Sequence, residues 1–459
     1  MSKIKDKKLS GETLDAFLAD ELDQDLSAAE IAKHLQRVKK HEGDDSFSDY
    51  VKKLPNDVLG EVVFELPDHL LKEVVDVIPS DQMVEVFEEL ESDDATDLLQ
   101  EIEEFDENRA QEILESLDEK DQEEIKRLRR YDDDEAGAYM QTEIFVAKVD
   151  EKIQDSISRL RTLKAAGELE NIHQLFIVDD YQTLLFAIYL EDLITFDFNL
   201  TFKEVVALGE EDEYRPILAR DDDDIDEVIA TFEDHDLSVL PIIDYHGKLV
   251  GRITSDDIHD IIQETATEQI YNLAGVDDDA EQEHTLFEAG KSRAMWLAIN
   301  LLTAIVASLV IGLFDQTIQT YVALAVLMPI VASMGGNAGT QTLTVTVRQL
   351  ALGEIDFENA KDALYKEVII ALVNGFLFAF VMGLIAFFWF HEILLGVVIA
   401  ASMVINLFCA GLFGALIPLG LKRSGIDPAV GSTVLLTTVT DVVGFFSFLG
   451  LAQWILING

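Results

Sequence analysis

The sequence predicts a multidomain membrane protein: an all-α helical solenoid, then an α+β region, then a five-helix transmembrane domain. Short apolar helical repeats fill the first third, the apolar period changes to that of short strands in the second, and five apolar segments long enough to span a bilayer begin at residue 294. Only nine of the 88 acidic and five of the 34 basic residues lie in this last part. The 79 acidic and 29 basic residues before it carry a formal charge of −50.

This charge narrows the classes of partner. A strongly acidic surface disfavours nucleic acid and anionic lipid headgroups and attracts cations, although most of the carboxylates simply keep the protein soluble. The one cysteine, Cys409, lies in an apolar stretch, so neither an intrachain disulfide nor a thiolate metal site is expected. The first eight residues lack an apolar core, so no cleavable signal peptide is predicted and the acidic part is expected to stay in the cytoplasm.

Residues 1–45 are charged and mixed and form an N-terminal extension, with a short helix predicted over residues 28–40. Residues 46–135 form an acidic helical N domain. There, apolar helical stretches recur at intervals of about 12 to 14 residues, and Pro67 and Pro79 are among the start signals between them. Helices this short cannot bury their apolar faces alone, so we expect them to stack into a solenoid.

Asp93 and Asp97 are four residues apart, which places both carboxylates on one face at a helix start. Their like charges repel unless a cation lies between them. The alternative is that they stabilise the positive end of the helix dipole. Both interpretations stay open at this point.

Residues 136–262 predict a repeated strand and helix pattern. Residues 240–257 run strand, turn, strand and acidic helix start, and this order resembles a CBS domain. A weaker match at residues 176–193 predicts a second copy, so we expect paired CBS domains, followed by a connecting helix over residues 263–293. The predicted strands are 175–178, 184–189, 239–243 and 249–253, and the predicted helices include 153–163 and 225–232.

Residues 294–459 predict a transmembrane domain of five helices. The predicted spans are 294–314, 321–347, 368–390, 393–421 and 429–457. All Lys and Arg residues of the connectors fall on the side of the acidic part, whereas the opposite loops hold none. The positive-inside rule therefore predicts a multi-pass protein of the cell (inner) membrane with its N-terminal domains in the cytoplasm.

The second span is predicted to break at Pro329 and again over residues 335–342, which are rich in glycine, amide and hydroxyl groups. Such a segment indicates either backbone that lines a cavity or a small-residue face that packs against other helices. Asn406 in the fourth span is a similar, weaker case.

The fifth span carries the one aspartate at a span centre, Asp441, within a stripe of threonines at 433, 437, 438 and 440. A charged side chain there costs roughly 2.5–3.5 kcal/mol on insertion scales, so it has to face a bundle interior, a water-filled cavity or a cation. We interpret this helix as the wall of a cation pathway; the alternative is a structural residue that hydrogen-bonds a neighbouring helix.

The donors along this wall are all oxygens: a carboxylate, hydroxyls, amides and freed backbone carbonyls. This set suits hard cations such as Mg²⁺ or Ca²⁺. One aspartate per chain is little charge for a divalent ion. We therefore expect a dimer in which two chains meet at a common pore. No nucleophile with a base and no His-rich metal site is evident, so the protein is not expected to be an enzyme.

Taken together, the chain from about residue 58 onward resembles the MgtE family of magnesium channels. The resemblance rests on seven motifs in order: Asp93-Asp-Ala-Thr-Asp97-Leu-Leu, Ile253-Thr-Ser-Asp-Asp257, Ala266-Thr-Glu268, Gly335-Gly-Asn-Ala-Gly339, Leu352-Gly-Glu-Ile355, Lys422-Arg-Ser-Gly-Ile-Asp-Pro428 and Thr437-Thr-Val-Thr-Asp441-Val-Val-Gly444.

The resemblance implies a homodimer that is embedded in membrane lipid and transports Mg²⁺. It also implies that cytosolic Mg²⁺ closes the pore. It implies ion selection at Asp441 with the carbonyl of Thr437, and places Gly336 and Asn337 along the same pore. It also implies a regulatory Mg²⁺ sensor, and the matching carboxylates are Asp93, Asp97, Asp257, Asp260 and Glu268, with Asp427 near the cytoplasmic mouth. Because the ion binds the closed state better, it would shift the population towards it.

Two departures from the family pattern matter. Thr265 and Gln269 stand where the family usually has acidic residues, which removes possible ligands of the sensor. Some relatives bind adenine nucleotide through an Arg-Asp pair that follows a strand of the first CBS repeat, where this chain has Glu191-Asp192. An acid facing a phosphate is unfavourable, so ATP is not expected to be a regulator. The alternatives left open are transport of another divalent cation such as Co²⁺ or Mn²⁺, a coupled carrier, and a membrane-anchored CBS nucleotide sensor.

Overall fold

A computed structural model of the chain describes residues 11, 13–19, 26–166, 169, 172–209, 213–276, 286–355 and 359–457. The chain divides into two compact units, residues 1–262 and residues 263–459. The first unit contains an array of short helices followed by two small sheets. The second contains the membrane-spanning helices.

The helical array confirms the predicted repeat. New helices begin at residues 56, 68, 80, 92, 107 and 119, and proline is the N-cap residue of the first three. Proline suits the start of a helix because its missing N–H would have no partner there. The helices are Ala28–Glu42, Asp44–Val51, Asn56–Phe64, Asp68–Val77, Ser80–Glu89, Ser92–Phe105, Glu107–Ser116 and Glu119–Leu128.

One apolar core runs through this array. Buried leucines, isoleucines and valines from successive helices contact each other, since each helix turns its apolar stripe towards its neighbours. Ile31 and Leu35 of the first helix belong to the same core as Leu59 and Leu98. The core therefore begins upstream of residue 46.

The two sheets are copies of one another, as the paired CBS repeats require. In each, the first strand pairs in parallel with the second, and the second pairs antiparallel with the third. The strands are β1 (Val146–Lys148), β2 (Gln174–Val178) and β3 (Leu184–Tyr189), then β4 (Ala219–Arg220), β5 (Val239–Ile243) and β6 (Leu249–Thr254). The helices between and after them are Ile153–Ala166, Leu190–Leu193, Phe202–Val206, Ile225–His235 and Ser255–Ala274.

The two sheets share a small apolar interface. Phe176 and Val178 on β2 pack with Val239 on β5 and Leu249 on β6. This contact joins the repeats into one module.

The second unit confirms five helices that are long and apolar enough to span a membrane. Spans 1 to 5 are Gly290–Gly312, Ala323–Ala351, Ala360–Phe390, Ile393–Arg423 and Ser432–Ile457. A short helix, Asp315–Thr320, connects the first two. Large apolar side chains remain exposed along the spans, as expected where lipid or another chain covers them.

The predicted break in the second span is wrong. Span 2 is a continuous helix that contains Pro329. The proline removes only the hydrogen bond to Ala325, near the start of the helix. No carbonyls are freed over residues 335–342, which remain helical.

The small residues of span 2 instead form the packing face that was the alternative interpretation. A Cβ on Gly335 would lie 2.2 Å from Nδ2 of Asn406, and one on Gly339 would lie 3.0 Å from Leu436. A Cβ on Gly414 would lie 2.8 Å from the carbonyl oxygen of Gly339. Spans 2, 4 and 5 can approach this closely only because these positions lack side chains.

Candidate ion pathway and cytosolic carboxylate cluster

Asp441 lies half-buried in the middle of span 5. Within the part of the chain that the structure describes, no hydrogen bond or ion pair reaches its carboxylate. The alternative role, a hydrogen bond to a neighbouring helix, has no contact in these residues to support it. A membrane-embedded carboxylate without a protein partner is available to a cation.

The threonine hydroxyls around Asp441 donate to backbone carbonyls. The hydroxyls of Thr437 and Thr438 donate to the carbonyls of Thr433 and Val434, both at 2.7 Å. The hydroxyl of Thr440 donates to the carbonyl oxygen of Thr437 at 3.1 Å. The predicted carbonyl ligand of Thr437 is therefore already hydrogen-bonded on its own helix.

The two predicted pore residues of span 2 lie on its more accessible side. Asn337 is exposed, and its Nδ2 donates to Oγ of Ser333 at 3.4 Å. Gly336 is half-buried and has no other atom within 4 Å of an added Cβ. The adjacent Gly335 faces Asn406 of span 4 instead, so Gly335 lies on the packed side of span 2 and Gly336 on its accessible side.

A second acidic group of the membrane unit escaped the sequence prediction. Glu367, in span 3, is only 8 % exposed, and its Oε2 accepts a hydrogen bond from the buried hydroxyl of Thr342 at 3.1 Å. The predicted span begins one residue later, at Val368, and so leaves Glu367 just outside it.

The first unit gathers carboxylates where the helix Ser92–Phe105 begins. Asp93 is buried with 6 % exposure, and Asp94 is half-buried. Asp97, one turn later, is exposed. The two carboxylates that the spacing places on one face thus differ in burial.

Hydrogen bonds hold this helix start against the segment before β1, and the helix Glu119–Leu128 against the second CBS repeat. Oγ of Ser92 donates to Oε2 of Glu143 at 3.0 Å and accepts from the backbone N–H of Thr142 at 2.8 Å. Nη2 of Arg127 donates to the carbonyl oxygen of Val250 at 2.7 Å. The contacts bring the acidic start of the helix close to the acidic start of the helix Ser255–Ala274.

Asp257 is held by its own surroundings. Its Oδ2 accepts from the hydroxyl of Thr254 at 2.7 Å and from its backbone N–H at 3.0 Å, and the side-chain amide of Gln141 donates to it at 3.1 Å. Asp260, one turn further along the helix, is exposed.

Burial, with mutual repulsion added to it, raises the pKa of several carboxyl groups in this cluster. Burial raises the pKa of Asp93 well above its ordinary value, and the charges of Asp257, Asp94 and Glu91 add to the rise. Burial together with Asp257 raises the pKa of Asp94 to about 6. Burial raises the pKa of Glu91 to about 7, against the opposing charge of Arg252. An added cation would relieve this repulsion.

Glu268 and Asp427, the remaining predicted sensor residues, lie in the second unit. The side-chain amide of Asn272 donates to Oε1 of Glu268 at 3.2 Å and to Oδ2 of Asp427 at 3.1 Å. One amide therefore brings these two carboxylates together. Asn272 was not singled out from the sequence.

All donors in the cytosolic cluster are oxygens, which fits a hard divalent cation. In the described residues, no three Asp, Glu, His or Cys side chains converge as a preformed metal site. Sequence reasoning missed Glu91, Asp94, Glu143 and Arg252. Among 79 acidic residues the first three carry no distinguishing signal, whereas an arginine inside the apolar strand β6 is a signal that a counter-charge is close.

The first CBS repeat has a cleft of about 290 Å³. Its lining includes His173, Tyr189, Glu191 and, from the second repeat, Ser238. Glu191 is the acid that stands in place of the arginine expected from the family resemblance, and it lines this cleft.

A five-span membrane domain preceded by an acidic helical domain and paired CBS repeats defines a multi-pass membrane protein with a regulatory module. Family profiles match along the chain: one described as a divalent cation transporter at residues 328–451, one as the MgtE intracellular N domain at 26–134, and a CBS domain at 213–264.

Two relatives named magnesium transporter MgtE are each 32 % identical to this chain. The one from Thermus thermophilus matches over 72 % of both chains, and the one from Enterococcus faecalis matches over 72 % of this chain and 71 % of its own. The chain belongs to the MgtE family.

Two solved structures are also similar in part. A cytosolic domain of the Mg²⁺ channel MgtE in complex with ATP is 28 % identical, with a TM-score of 0.45, and covers 50 % of this chain and 94 % of its own. The soluble part of a magnesium transporter is 24 % identical, with a TM-score of 0.48, and covers 57 % of this chain and 99 % of its own.

Proposed function

We propose that this protein transports Mg²⁺ across the cell membrane, with Asp441 as the carboxylate that selects the ion. One observation carries the proposal: in a chain of the MgtE family, the aspartate at the centre of span 5 has no protein partner within the described residues. Mg²⁺ gives up its water reluctantly, so Asp441 and Thr437 would contact a hydrated ion through its water molecules.

A second copy of the chain would complete the pathway. Thr437 is exposed and Asp441 is half-exposed on the surface of the membrane unit. A homodimer would place two such carboxylates on one ion path and supply the charge that a divalent ion requires. Asn337 and Gly336 on the accessible side of span 2 are proposed to line the same path.

The cytosolic carboxylates are proposed to sense Mg²⁺. Burial raises the pKa of both Asp93 and Asp94, and the nearby charge of Asp257 adds to both rises, so a bound cation stabilises the docked arrangement of helix start and CBS module. Asp97 and Asp260 flank this cluster as additional ligands. Without Mg²⁺ the carboxylates repel and docking weakens, which couples ion concentration to gating.

Glu268 and Asp427 form a further part of the proposed sensor, in the second unit. We propose that a regulatory Mg²⁺ replaces the amide of Asn272 between the two carboxylates. ATP is not proposed as a regulator, because Glu191 lines the cleft of the first CBS repeat and would repel phosphate.

The test is Mg²⁺ uptake into liposomes that contain the purified full-length protein, compared with Asp441→Asn. The matched control is Asp362→Asn, which removes an exposed carboxylate from the first turn of span 3. We expect uptake by wild type and the control, and at least a tenfold loss in Asp441→Asn at unchanged melting temperature. Equal uptake by both variants would refute the role of Asp441, and preferential uptake of Co²⁺ or Mn²⁺ would refute Mg²⁺ as the cargo.

A further inference from the structure

Arg252 is a buried arginine in an otherwise apolar strand. It lies on β6 and is 2 % exposed, and its backbone exchanges two hydrogen bonds with Gln141, at 2.8 and 2.9 Å. The side chains of Leu240, Ile242 and Ile253 form the core of the same sheet. The desolvation of a guanidinium in such surroundings is strongly unfavourable unless carboxylates compensate it.

The compensation comes from the helical N domain. Nη2 of Arg252 lies 3.5 Å from Oε1 of Glu91, the residue immediately before the helix Ser92–Phe105. Burial raises the pKa of Asp257 on the same repeat, and the charge of Arg252 opposes that rise. One fixed positive charge thus faces carboxylates from both sides of the contact between the helical array and the second CBS repeat.

The charge balance of this contact depends on that arginine. Beyond the effect of burial, neighbouring carboxylate charges raise the pKa of Glu91, Asp93 and Asp94 here. The other carboxylates that contribute are Glu143, Asp256, Asp257 and Asp260. Arg252 is the cation that faces Glu91 among them. An arginine stays ionised at every physiological pH and cannot diffuse away, unlike a bound metal ion.

We infer that Arg252 is a permanent counter-cation of this contact and sets the Mg²⁺ concentration at which the cytosolic module closes. It supplies, through a covalently attached charge, part of the neutralisation that bound Mg²⁺ supplies in the proposed sensor. The inference rests on the proposed function. Fewer or more weakly bound Mg²⁺ ions then suffice for docking, so the threshold lies lower than the carboxylates alone would require.

The decisive variant is Arg252→Met, which keeps a long apolar stem and removes the charge. We expect the Mg²⁺ concentration for half-maximal inhibition of liposome uptake, varied on the cytosolic side, to rise at least tenfold, equivalent to about 1.4 kcal/mol. Uptake at zero cytosolic Mg²⁺ should equal that of wild type. Arg252→Lys keeps the charge and should stay within about threefold of wild type.

A double-mutant cycle separates charge from packing. Removing Glu91 together with Arg252 restores the net charge of the cluster, so Arg252→Met/Glu91→Gln should return towards the wild-type threshold. A double variant that behaves like Arg252→Met would assign the arginine to packing and overturn the inference. If Arg252→Met does not fold, the double variant is compared with Glu91→Gln alone. The Mg²⁺ threshold of the double variant should then be at least fivefold higher than that of Glu91→Gln, and a smaller difference would overturn the inference.

A second readout does not depend on transport. Spin labels at Glu115→Cys in the helical array and Asp234→Cys in the second CBS repeat, in a Cys409→Ala full-length background, report the distance between the two parts. In Mg²⁺-free buffer, Arg252→Met should shift this distribution to longer distances, and Mg²⁺ should reverse the shift. An unchanged distribution overturns the inference. If wild-type uptake does not respond to cytosolic Mg²⁺, the proposed sensor fails, while the distances still decide the role of Arg252.

Discussion

A single methyl group at Gly335 tests how span 2 packs in the membrane unit. A Cβ there would lie 2.2 Å from Nδ2 and 2.8 Å from Cγ of Asn406, closer than real Cβ atoms approach any neighbour. Asn406 is completely buried and has little room to retreat. Its Nδ2 donates to the carbonyl oxygen of Val331 at 2.8 Å. Gly335→Ala therefore has to displace the amide and break this hydrogen bond.

The size of the effect follows from three contributions. A buried polar group left without its hydrogen bond costs about 1–3 kcal/mol. Overpacking a tight contact costs about 1–3 kcal/mol. Alanine regains about 1 kcal/mol of helix propensity over glycine. Gly335→Ala should thus lower the free energy of unfolding by about 1–5 kcal/mol. The adjacent Gly336→Ala meets no atom within 4 Å and should leave it unchanged or raise it.

The assay is thermal unfolding of the detergent-purified protein, followed by tryptophan emission, for wild type and both alanine variants. We expect a lower melting temperature for Gly335→Ala alone. Adding Asn406→Ala to Gly335→Ala should recover part of the loss, since the clashing amide is then absent. Equal melting temperatures for Gly335→Ala and Gly336→Ala would refute the packing described for span 2.

Two further predictions concern buried carboxyls. Because the pKa of Glu91 rises to about 7 and that of Asp94 to about 6 in the folded protein, the folded state binds more protons than the unfolded one between pH 4 and 7. Without Mg²⁺, amide-exchange protection of the helix Ser92–Phe105 should fall as pH rises through this range and level off above it; a rise would contradict the shifts. Glu367→Gln keeps an acceptor for the hydroxyl of Thr342 and should melt like wild type, whereas Glu367→Ala should lose about 1–3 kcal/mol, and equal melting of the two would contradict the buried hydrogen bond.

The membrane spans and the helical repeat were predictable because their signals are long. A run of about 20 apolar residues has few alternatives, and proline at the N-cap residues 55, 67 and 79 marks the helix starts directly. The strands β2, β3, β5 and β6 were found within a residue or two at each end. These features depend on local sequence, so a single sequence is enough to predict them.

The error in span 2 and the missed residues of the cytosolic cluster have a different cause. Glycines at 335 and 339 weaken an isolated helix, but in this unit Asn406 and Leu436 fill the space beside them. Arg252 and Glu91 are distant in sequence, and only the docking of the helical array on the second CBS repeat brings them to 3.5 Å. Local patterns cannot contain a contact that the tertiary structure creates.

Hydrogen-bond polarity, as well as charge, suits the cation pathway proposed along span 5. The hydroxyls of Thr437 and Thr438 direct their protons to carbonyls one turn earlier, so their oxygen lone pairs are the groups left to face the surroundings. The water shell of a hydrated cation presents hydrogens outward, and these match acceptors along the wall. An anion, whose shell presents oxygens, meets no donor from these hydroxyls. Asp441→Asn therefore removes the charge while leaving this polarity in place, so its residual flux should still prefer cations.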